Sequence, residues 1–259
     1  MSDRGLYAGI DIGSLSSEAV LLSQDGPEAY SIRKTGADPV RAARTCLGEA
    51  LGKVGAEMAD LAGIVATGYG RLRISFADKE VTEITCHAKG AHFLFPGTRT
   101  VVDIGGQDSK VITLDEEGNV TDFVMNDRCA AGTGRFLEVM AGVFETDLEN
   151  LGRLSLQAKK GVSISSMCTV FAESEVISLI ADGHRREAII RGVHESISKR
   201  IFRMTKRLRV REEITFTGGV AKNRGMVKAL EELFRTRLNI PQEPQIVGAL
   251  GAALVARDG

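Results

Sequence analysis

The chain has 259 residues, of which 43% are hydrophobic, so it is long enough to form one large domain or two smaller ones with real cores. Its 33 basic residues nearly balance its 34 acidic ones, which gives no reason to expect binding to nucleic acid or to a membrane surface. No apolar segment follows a basic amino terminus, and no window approaches the ~18 uninterrupted apolar residues of a membrane span, so we expect a soluble, cytoplasmic protein.

The first part of the chain predicts strands and helices in alternation. Residues 6–22 predict two apolar strands joined by a tight polar turn at Asp11-Ile12-Gly13-Ser14. Helical periodicity follows over 40–51, then a short strand over 63–67 and a mixture of helix and loop over 71–90.

The rest of the chain repeats this design. Residues 100–114 predict two more strands around Asp103-Ile104-Gly105-Gly106, which stands where Asp11-Ile12-Gly13-Ser14 stood. Further strands are predicted over 120–125 and 214–217, and helices over 135–144, 170–181, 186–208, 223–237 and 248–256. The alternation indicates an α/β protein with a mixed or parallel sheet in each of two related halves.

Each of the two polar turns suits a nucleotide phosphate. Glycine lets backbone N–H groups approach phosphate oxygens, and the preceding carboxylate, Asp11 or Asp103, can hold Mg²⁺ directly or through its waters. One such turn alone is more often an ordinary hairpin. A third glycine-rich turn over 217–221, with Asn223, follows a strand and opens a helix, as a platform for base and ribose would.

Taken together, the three turns resemble those of the actin, hexokinase and sugar-kinase superfamily of ATPases. The resemblance implies a first phosphate loop over 11–17, a second over 103–108 and an adenosine loop over 217–223. It also implies two duplicated ribonuclease-H-like domains that close on Mg-ATP.

We expect the first domain to comprise 1–97 with 248–259, and the second to comprise 98–247 and to carry Cys129 and Cys168. The small residues over 248–253 fit a helix that crosses between the halves, or an ordinary tightly packed helix. Competing nucleotide motifs fail: there is no GxxxxGK[ST], and Gly132-Thr133-Gly134 lacks the final glycine of a dinucleotide fingerprint.

The cysteines are too far apart for a CxxC pair, and the ordinary expectation for each is a buried apolar residue: Cys46, Cys86, Cys129 and Cys168. Two of them differ, because Cys129 and Cys168 each precede a predicted helix start, where the helix dipole favours a thiolate. A cubane cluster needs four thiolates and one chain offers two, so two chains on a two-fold axis would complete the set.

The wider sequence resembles one family closely, through ATGYGR at 66–71, DIGGQDSK at 103–110, MNDRCAAGTGRFLE at 125–138, CTVFAESEVI at 168–177 and TGGVAKN at 217–223. It is similar to the activator, component A, of 2-hydroxyacyl-CoA dehydratases and to the ATPase subunits of benzoyl-CoA reductases. The resemblance implies a homodimer with one 4Fe-4S cluster held by Cys129 and Cys168 of both subunits. ATP hydrolysis would drive a low-potential electron onto an acceptor iron–sulfur enzyme; the donor, ferredoxin or flavodoxin, stays open.

One position departs from the family. The first phosphate loop usually ends in Ser-Lys, whereas this chain has Ser17-Glu18, and Leu15 stands where Thr is common. A lysine that would meet phosphate is therefore missing. Lys110 either compensates or is a solvated strand side chain.

The predicted roles follow from the resemblance and the turn chemistry. Asp11 holds Mg²⁺, and Asp103 or Gln107 orients the attacking water. The remaining predicted contacts to nucleotide are Gly13, Ser14, Leu15, Ser16, Ser17, Glu18, Gly105, Gly106, Gln107, Gly132, Thr133, Gly134, Gly218, Gly219, Asn223 and Gln245, of which Gly219 and Gln245 lie against the nucleoside. The predicted metal ligands are Cys129 and Cys168.

Other residues have weaker signals. The histidines show no metal-ligand spacing and predict core or surface roles: His87, His92, His184 and His194. Seven basic residues over 199–211 predict a solvated helix face, or a docking surface for an acidic donor or the acceptor. Glu173 and Glu175 predict capping and partner contacts.

Two other functions remain open from the residues alone. A small-molecule kinase of the same fold predicts a colourless protein with a phosphoryl acceptor. A nucleotide-dependent scaffold predicts nucleotide binding without iron.

Overall fold

The computed structural model describes residues 5–127, 129–165 and 168–259. Its first sheet has the strand order β3-β2-β1-β4-β5, with β1 antiparallel to β2 and parallel to β4. The strands are β1 Leu6–Ile12, β2 Ser16–Leu22, β3 Pro27–Lys34, β4 Leu61–Thr67 and β5 Lys79–Glu80. This places the carboxyl end of β1, with Asp11, beside the end of β4.

The second sheet repeats the topology of the first. Its order is β8-β7-β6-β9, with β6 antiparallel to β7 and parallel to β9. The strands are β6 Thr100–Ile104, β7 Ser109–Leu114, β8 Val120–Asn126 and β9 Ile214–Thr217. A parallel bridge between Thr215 and Asn239 occupies the place that β5 has in the first sheet. The equal strand orders confirm two duplicated α/β halves.

Eight helices surround the sheets in the described residues: α1 Pro39–Val54, α2 Glu83–Leu94, α3 Gly134–Val143, α4 Leu148–Ser155, α5 Thr169–Ala181, α6 Arg186–Thr205, α7 Arg224–Phe234 and α8 Val247–Asp258. Local chemistry sets several of their ends. Asp38 caps α1 by accepting from the Arg41 amide at 3.0 Å, and Gly55 ends it in the left-handed conformation. None of these helices is long and apolar enough to cross a membrane.

The helices α2 and α8 cross between the two sheets and need small residues to do so. A Cβ on Gly9 of β1 would lie 2.0 Å from the Ala249 carbonyl oxygen, and one on Gly251 would lie 1.8 Å from the Cys86 carbonyl oxygen. Val247 of α8 packs in a cluster with residues of α2, β6 and β7, whereas Ala249 packs with β2. The predicted crossing helix over 248–256 is thus confirmed. The domain division at 97/98 and 247/248 stays a prediction.

Three elements were absent from the predicted set: β3, α4 and β5, which has only two residues. β3 is an edge strand whose sequence, PEAYSIRK, is polar and mostly exposed, so it lacks the alternation of a half-buried strand. α4 has eight residues, too few to show a periodic pattern against its surroundings. Two predicted helices also end early, α6 at Thr205 and α7 at Phe234.

Candidate functional site

The two phosphate turns have the same backbone geometry. The Gly13 amide donates to the Ser16 carbonyl at 2.9 Å, and the Gly105 amide donates to the Asp108 carbonyl at 3.0 Å. Each turn follows a strand with a buried aspartate near its end, Asp11 in β1 and Asp103 in β6. The turns are therefore duplicated loops, one from each half.

A cleft of about 1210 Å³ lies between the halves and brings most of the predicted residues together. Those that line it are Asp11, Gly13, Ser14, Leu15, Ser16, Glu18, Asp103, Gly105, Gly106, Gln107, Gly134, Gly218, Gly219, Asn223 and Gln245. Leu15 spans the two loops, because a Cβ on Gly106 would lie 2.5 Å from a Leu15 methyl carbon. The cleft is large enough for a nucleotide and presents both turns to it.

Ser17 does not line the cleft. Its hydroxyl lies 2.9 Å from the Thr35 hydroxyl, which in turn donates to the Gly13 carbonyl at 2.8 Å. Because side chains alternate along β2, Ser16 and Glu18 face the cleft while Ser17 faces the opposite side. Ser17 thus supports the first turn from behind.

Gly132 and Thr133 are also absent from the cleft lining, so their predicted contact with nucleotide stays a prediction. The Thr133 hydroxyl donates to the Ala130 carbonyl at 2.7 Å, and Gly132 has φ +107° and packs against Arg200. They shape the turn that leads into α3.

The first residues of α3 attach directly to the second phosphate loop. The Gly134 amide donates to the Gly105 carbonyl at 2.8 Å, and the Arg135 amide donates to the Gly106 carbonyl at 2.8 Å. A Cβ on Gly134 would lie 3.0 Å from the Gly105 carbonyl oxygen, so glycine allows this close approach. The second phosphate loop is thereby hydrogen-bonded directly to the start of α3.

Asp103 is held by a buried polar network. Its Oδ1 accepts from the Thr217 hydroxyl at 2.9 Å, and its Oδ2 lies 3.2 Å from Lys110 Nζ, which also pairs with Asp108 at 2.6 Å. Burial raises the pKa of Asp103, but nearby His87 and Lys110 outweigh it and hold the pKa below its usual value. Lys110 is 4% exposed, so the alternative of a solvated side chain is wrong.

His87, on α2, lies between the two acids. Its Nδ1 is 3.5 Å from Asp103 Oδ1 and 3.3 Å from the Thr217 hydroxyl, while its Nε2 is 3.9 Å from Asp11 Oδ2. It is buried, as expected of a core residue, yet it also lines the cleft. No spacing in the sequence signals this position, because α2 reaches the cleft only through the crossing of the halves.

Asp11 lies in a confined setting between glycines. A Cβ on Gly248 would lie 2.1 Å from its Oδ2, and one on Gly68 would lie 2.2 Å from its Oδ1. Burial raises the pKa of Asp11 to about 6, although His87 and Lys110 oppose the shift. A carboxylate with so few strong partners suits a bound divalent cation, which would restore its charge.

Glu18 stands directly opposite Asp11 in the β1–β2 register. Gln245 Nε2 donates to Glu18 Oε1 and to the Ser16 hydroxyl, both at 2.9 Å, and Gln245 Oε1 accepts from Lys222 at 3.0 Å. Burial, and then the Asp11 charge, raises the pKa of Glu18 to about 8. Glu18 is therefore mostly neutral at pH 7 and does not set a full negative charge against the phosphates.

The predicted adenosine loop closes the cleft from the second half. Gly218 has φ +84°, and a Cβ there would lie 2.7 Å from Asp103 Oδ1, so only glycine fits. Asn223 caps α7 by accepting from the Met226 amide at 3.1 Å and donates to the Leu148 carbonyl at 3.1 Å.

The four cysteines fall into two classes. Cys46 and Cys86 are fully buried, and burial raises the pKa of their thiols to about 11 and about 12. In contrast, Cys129 is half-buried and Cys168 is exposed. The latter pair therefore departs from the expectation of a buried apolar residue.

The two accessible cysteines differ in backbone position. Cys168 is the N-cap of α5, which confirms its predicted place at a helix start. Cys129 lies five residues before α3, so its predicted position at a helix start is wrong: the turn at Ala130–Thr133 intervenes. Asn126 donates to the Cys129 carbonyl at 3.0 Å and orders this segment.

No group of three or more metal-ligating side chains occurs within the residues that the structure describes. The two accessible thiols, Cys129 and Cys168, are half of the four that a cubane cluster needs.

A family model matches residues 8–256 and describes BadF/BadG/BcrA/BcrD ATPases. This chain belongs to that ATPase family. The match spans both halves and both phosphate turns, and so confirms the resemblance read from the motifs.

Individual proteins support the assignment of this ATPase-family chain. It is 49% identical to the "Activator of lactoyl-CoA dehydratase" of Anaerotignum propionicum, over 96% of each chain. The solved activator of the 2-hydroxyisocaproyl-CoA dehydratase of Clostridium difficile, with bound ADPNP, superposes with a TM-score of 0.93 at 45% identity, covering 98% of this chain and 94% of that one. A ROK family glucokinase of Streptomyces griseus has a TM-score of 0.61 at 14% identity, covering 98% and 100%, and shows the shared fold alone.

Proposed function

We propose that this ATPase hydrolyses Mg-ATP in the cleft and delivers one low-potential electron to a partner iron–sulfur enzyme, such as a 2-hydroxyacyl-CoA dehydratase. One observation supports the coupling above all. The amides that begin α3 bind the second phosphate loop through Gly105 and Gly106, and the same segment carries Cys129 a few residues earlier. The nucleotide loop and the accessible thiol therefore belong to one mechanically connected unit.

Within the cleft, the two acids take different roles. Asp11 is the residue to hold Mg²⁺, since its carboxylate has no strong hydrogen-bond partner among the described residues. Asp103 stays ionised and, with exposed Gln107 beside it in the loop, orients the attacking water. Gly219 and Gln245 lie where the nucleoside is expected.

The second copy of the chain completes the redox site. Cys129 and Cys168 of both protomers would hold one 4Fe-4S cluster, which supplies a one-electron carrier when bound. The helix that follows Cys168 presents exposed apolar side chains, with Val170 66%, Phe171 69% and Ile177 53% exposed. An exposed apolar face beside a shared ligand is typical of a two-fold interface.

The partners follow from the same proposal. The relatives named above activate dehydratases of 2-hydroxyacyl-CoA thioesters, so the acceptor is an enzyme of that kind. The donor is a low-potential carrier such as ferredoxin or flavodoxin. Glu175 accepts from both the amide and the hydroxyl of Ser165, at 2.8 and 2.9 Å, and so ties the chain just before Cys168 to α5.

Iron analysis tests the proposal. Anaerobically purified protein is expected to contain about four iron atoms and as many sulfides per dimer. Replacing the half-buried thiol, Cys129→Ala, should remove the iron, whereas the matched variant Cys46→Ala changes a buried thiol and should retain it.

The other functions give different results in the same assay. A colourless wild-type protein that phosphorylates a small molecule would establish the kinase instead. Nucleotide binding without iron or turnover would establish the scaffold.

A further inference from the structure

A strip of exposed cations occupies the carboxyl end of α6 and the turn after it. Its members, called the basic strip below, are Lys199, Arg203, Lys206, Arg207, Arg209 and Arg211. The chain as a whole is almost neutral, with 33 basic and 34 acidic residues, so this concentration of positive charge is local.

Helix stabilisation does not account for the strip. Cations in the last turn of a helix are favoured by its dipole, and Arg203 lies there. However, Arg207, Arg209 and Arg211 lie beyond the end of α6, and within the described parts of the chain they form no ion pair. Their charges are therefore presented to solvent rather than neutralised.

The strip begins at the redox site. Arg200, on the same helix, packs against Gly132 in the turn after Cys129, where a Cβ would lie 2.8 Å from the arginine Cδ. At the other end, Arg211 is anchored through its backbone: the Thr100 hydroxyl donates to the Arg211 carbonyl at 2.8 Å. The strip is thus a fixed surface that leads to one accessible thiol.

The character of the strip differs from that of α5. Its intervening apolar residues are at least partly covered, and none is among the exposed large hydrophobic side chains of the described chain, whereas α5 exposes Val170, Phe171, Ile177 and Ile180. Apolar faces suit lasting interfaces, while charged surfaces raise association rates and favour short encounters. An electron donor must bind, transfer its electron and dissociate, and a charged surface favours such a short encounter.

We infer that the basic strip is the docking surface for a small, acidic electron-carrier protein, an inference that rests on the proposed function. In the encounter, the reduced carrier loses one electron and the cluster-bearing dimer gains one, with no atom transferred. The acceptor enzyme then binds elsewhere on the dimer.

The test compares two charge reversals of equal size. Arg207→Glu with Arg209→Glu alters the strip, and Arg41→Glu with Lys79→Glu alters two exposed cations of the first half, on α1 and β5. Binding of an oxidised acidic ferredoxin is measured by calorimetry at low salt, and electron uptake is measured with reduced ferredoxin or with dithionite.

For the strip variant we expect ferredoxin affinity and uptake rate to fall by about tenfold or more, and for wild type we expect both to fall as salt is added. The control variant should match wild type, and dithionite should reduce all three proteins equally. The milder pair Arg207→Gln with Arg209→Gln should give an intermediate loss, which guards against misfolding of the reversed variant.

Equal ferredoxin binding by the two charge reversals would overturn the inference. So would a strip variant that accepts electrons normally but fails to activate the dehydratase under dithionite, since the strip would then serve the acceptor. Failure of the proposed function looks different, because a wild-type protein without iron takes up no electron from dithionite either.

Discussion

The two halves of this ATPase place different partners opposite the same aspartate. In the first sheet Asp11 pairs in register with Glu18, and in the second sheet Asp103 pairs in register with Lys110. Nearby His87 and Lys110 keep Asp103 ionised. In contrast, burial raises the pKa of Asp11 to about 6, and burial together with the Asp11 charge raises that of Glu18 to about 8. Duplicated backbones thus place opposite electrostatic environments around two equivalent aspartates.

The contrast between the two aspartates also bears on Glu18, which stands in the first loop where the family usually has lysine. The family's usual lysine would make the first half resemble the second, with a cation opposite the strand-end acid. Glu18 avoids a repulsive charge by remaining mostly protonated and by accepting a hydrogen bond from Gln245. Where the lysine would stand, Glu18 is thus hydrogen-bonded to Gln245, which in turn accepts from Lys222 in the predicted adenosine loop.

Removing the charge of Asp103 is expected to have the largest effect. Asp103→Asn keeps an oxygen for Thr217 but loses the carboxylate, so ATP hydrolysis should fall by about 10²–10⁴-fold. ATP-dependent electron delivery should be abolished while the absorbance of the iron–sulfur protein is unchanged. Asp122→Asn, on the exposed face of β8, is the control, and normal delivery by Asp103→Asn would remove Asp103 from the mechanism.

Breaking the Asp103–Lys110 pair should lower the free energy of unfolding by more than breaking the Asp11–Glu18 pair. Lys110→Met leaves the buried Asp103 without its cation and should cost about 3–5 kcal/mol in the free energy of unfolding. Glu18→Gln replaces a mostly protonated carboxyl with an amide that can still accept from Gln245, so its cost should be under about 1 kcal/mol. Urea unfolding at pH 7 measures both, and equal losses would mean that Glu18 acts as an anion.

The pH dependence of stability sharpens the same contrast. The folded-state pKa of Glu18 lies near 8, above its ordinary 4.5, so between these values the folded protein holds a proton that the unfolded chain has lost. The titration of Glu18 therefore lowers the free energy of unfolding as pH rises from 4.5 to 8, by up to about 1.4 kcal/mol per pH unit.

Unfolding at several pH values, without nucleotide or Mg²⁺, checks this slope. In Glu18→Gln the stability should depend less steeply on pH between 4.5 and 8 than in wild type. The control, Glu116→Gln, changes an exposed carboxyl and should leave the slope unaltered. Identical slopes in all three proteins would show that Glu18 titrates as in the unfolded chain.

Short-range chemistry made much of this protein predictable from its sequence. An apolar run that ends in Asp-Ile-Gly predicted both phosphate hairpins, because glycine and strand alternation act within a few residues. The same local reasoning found Cys168 at a helix start and the small-residue helix α8. The family motifs lie in these segments, which is why the fold class and family could be predicted together.

Only the tertiary structure decided where side chains point and which distant segments contact one another. Ser17 and Glu18 are neighbours in β2, yet only the packed sheet determines that Glu18 faces the cleft and Ser17 does not. His87 reaches both acids because α2 crosses between the halves, and Lys110 is buried because β7 lies beside β6. Local pattern sets which residues form a strand or helix, whereas long-range packing sets which face is buried and what it meets.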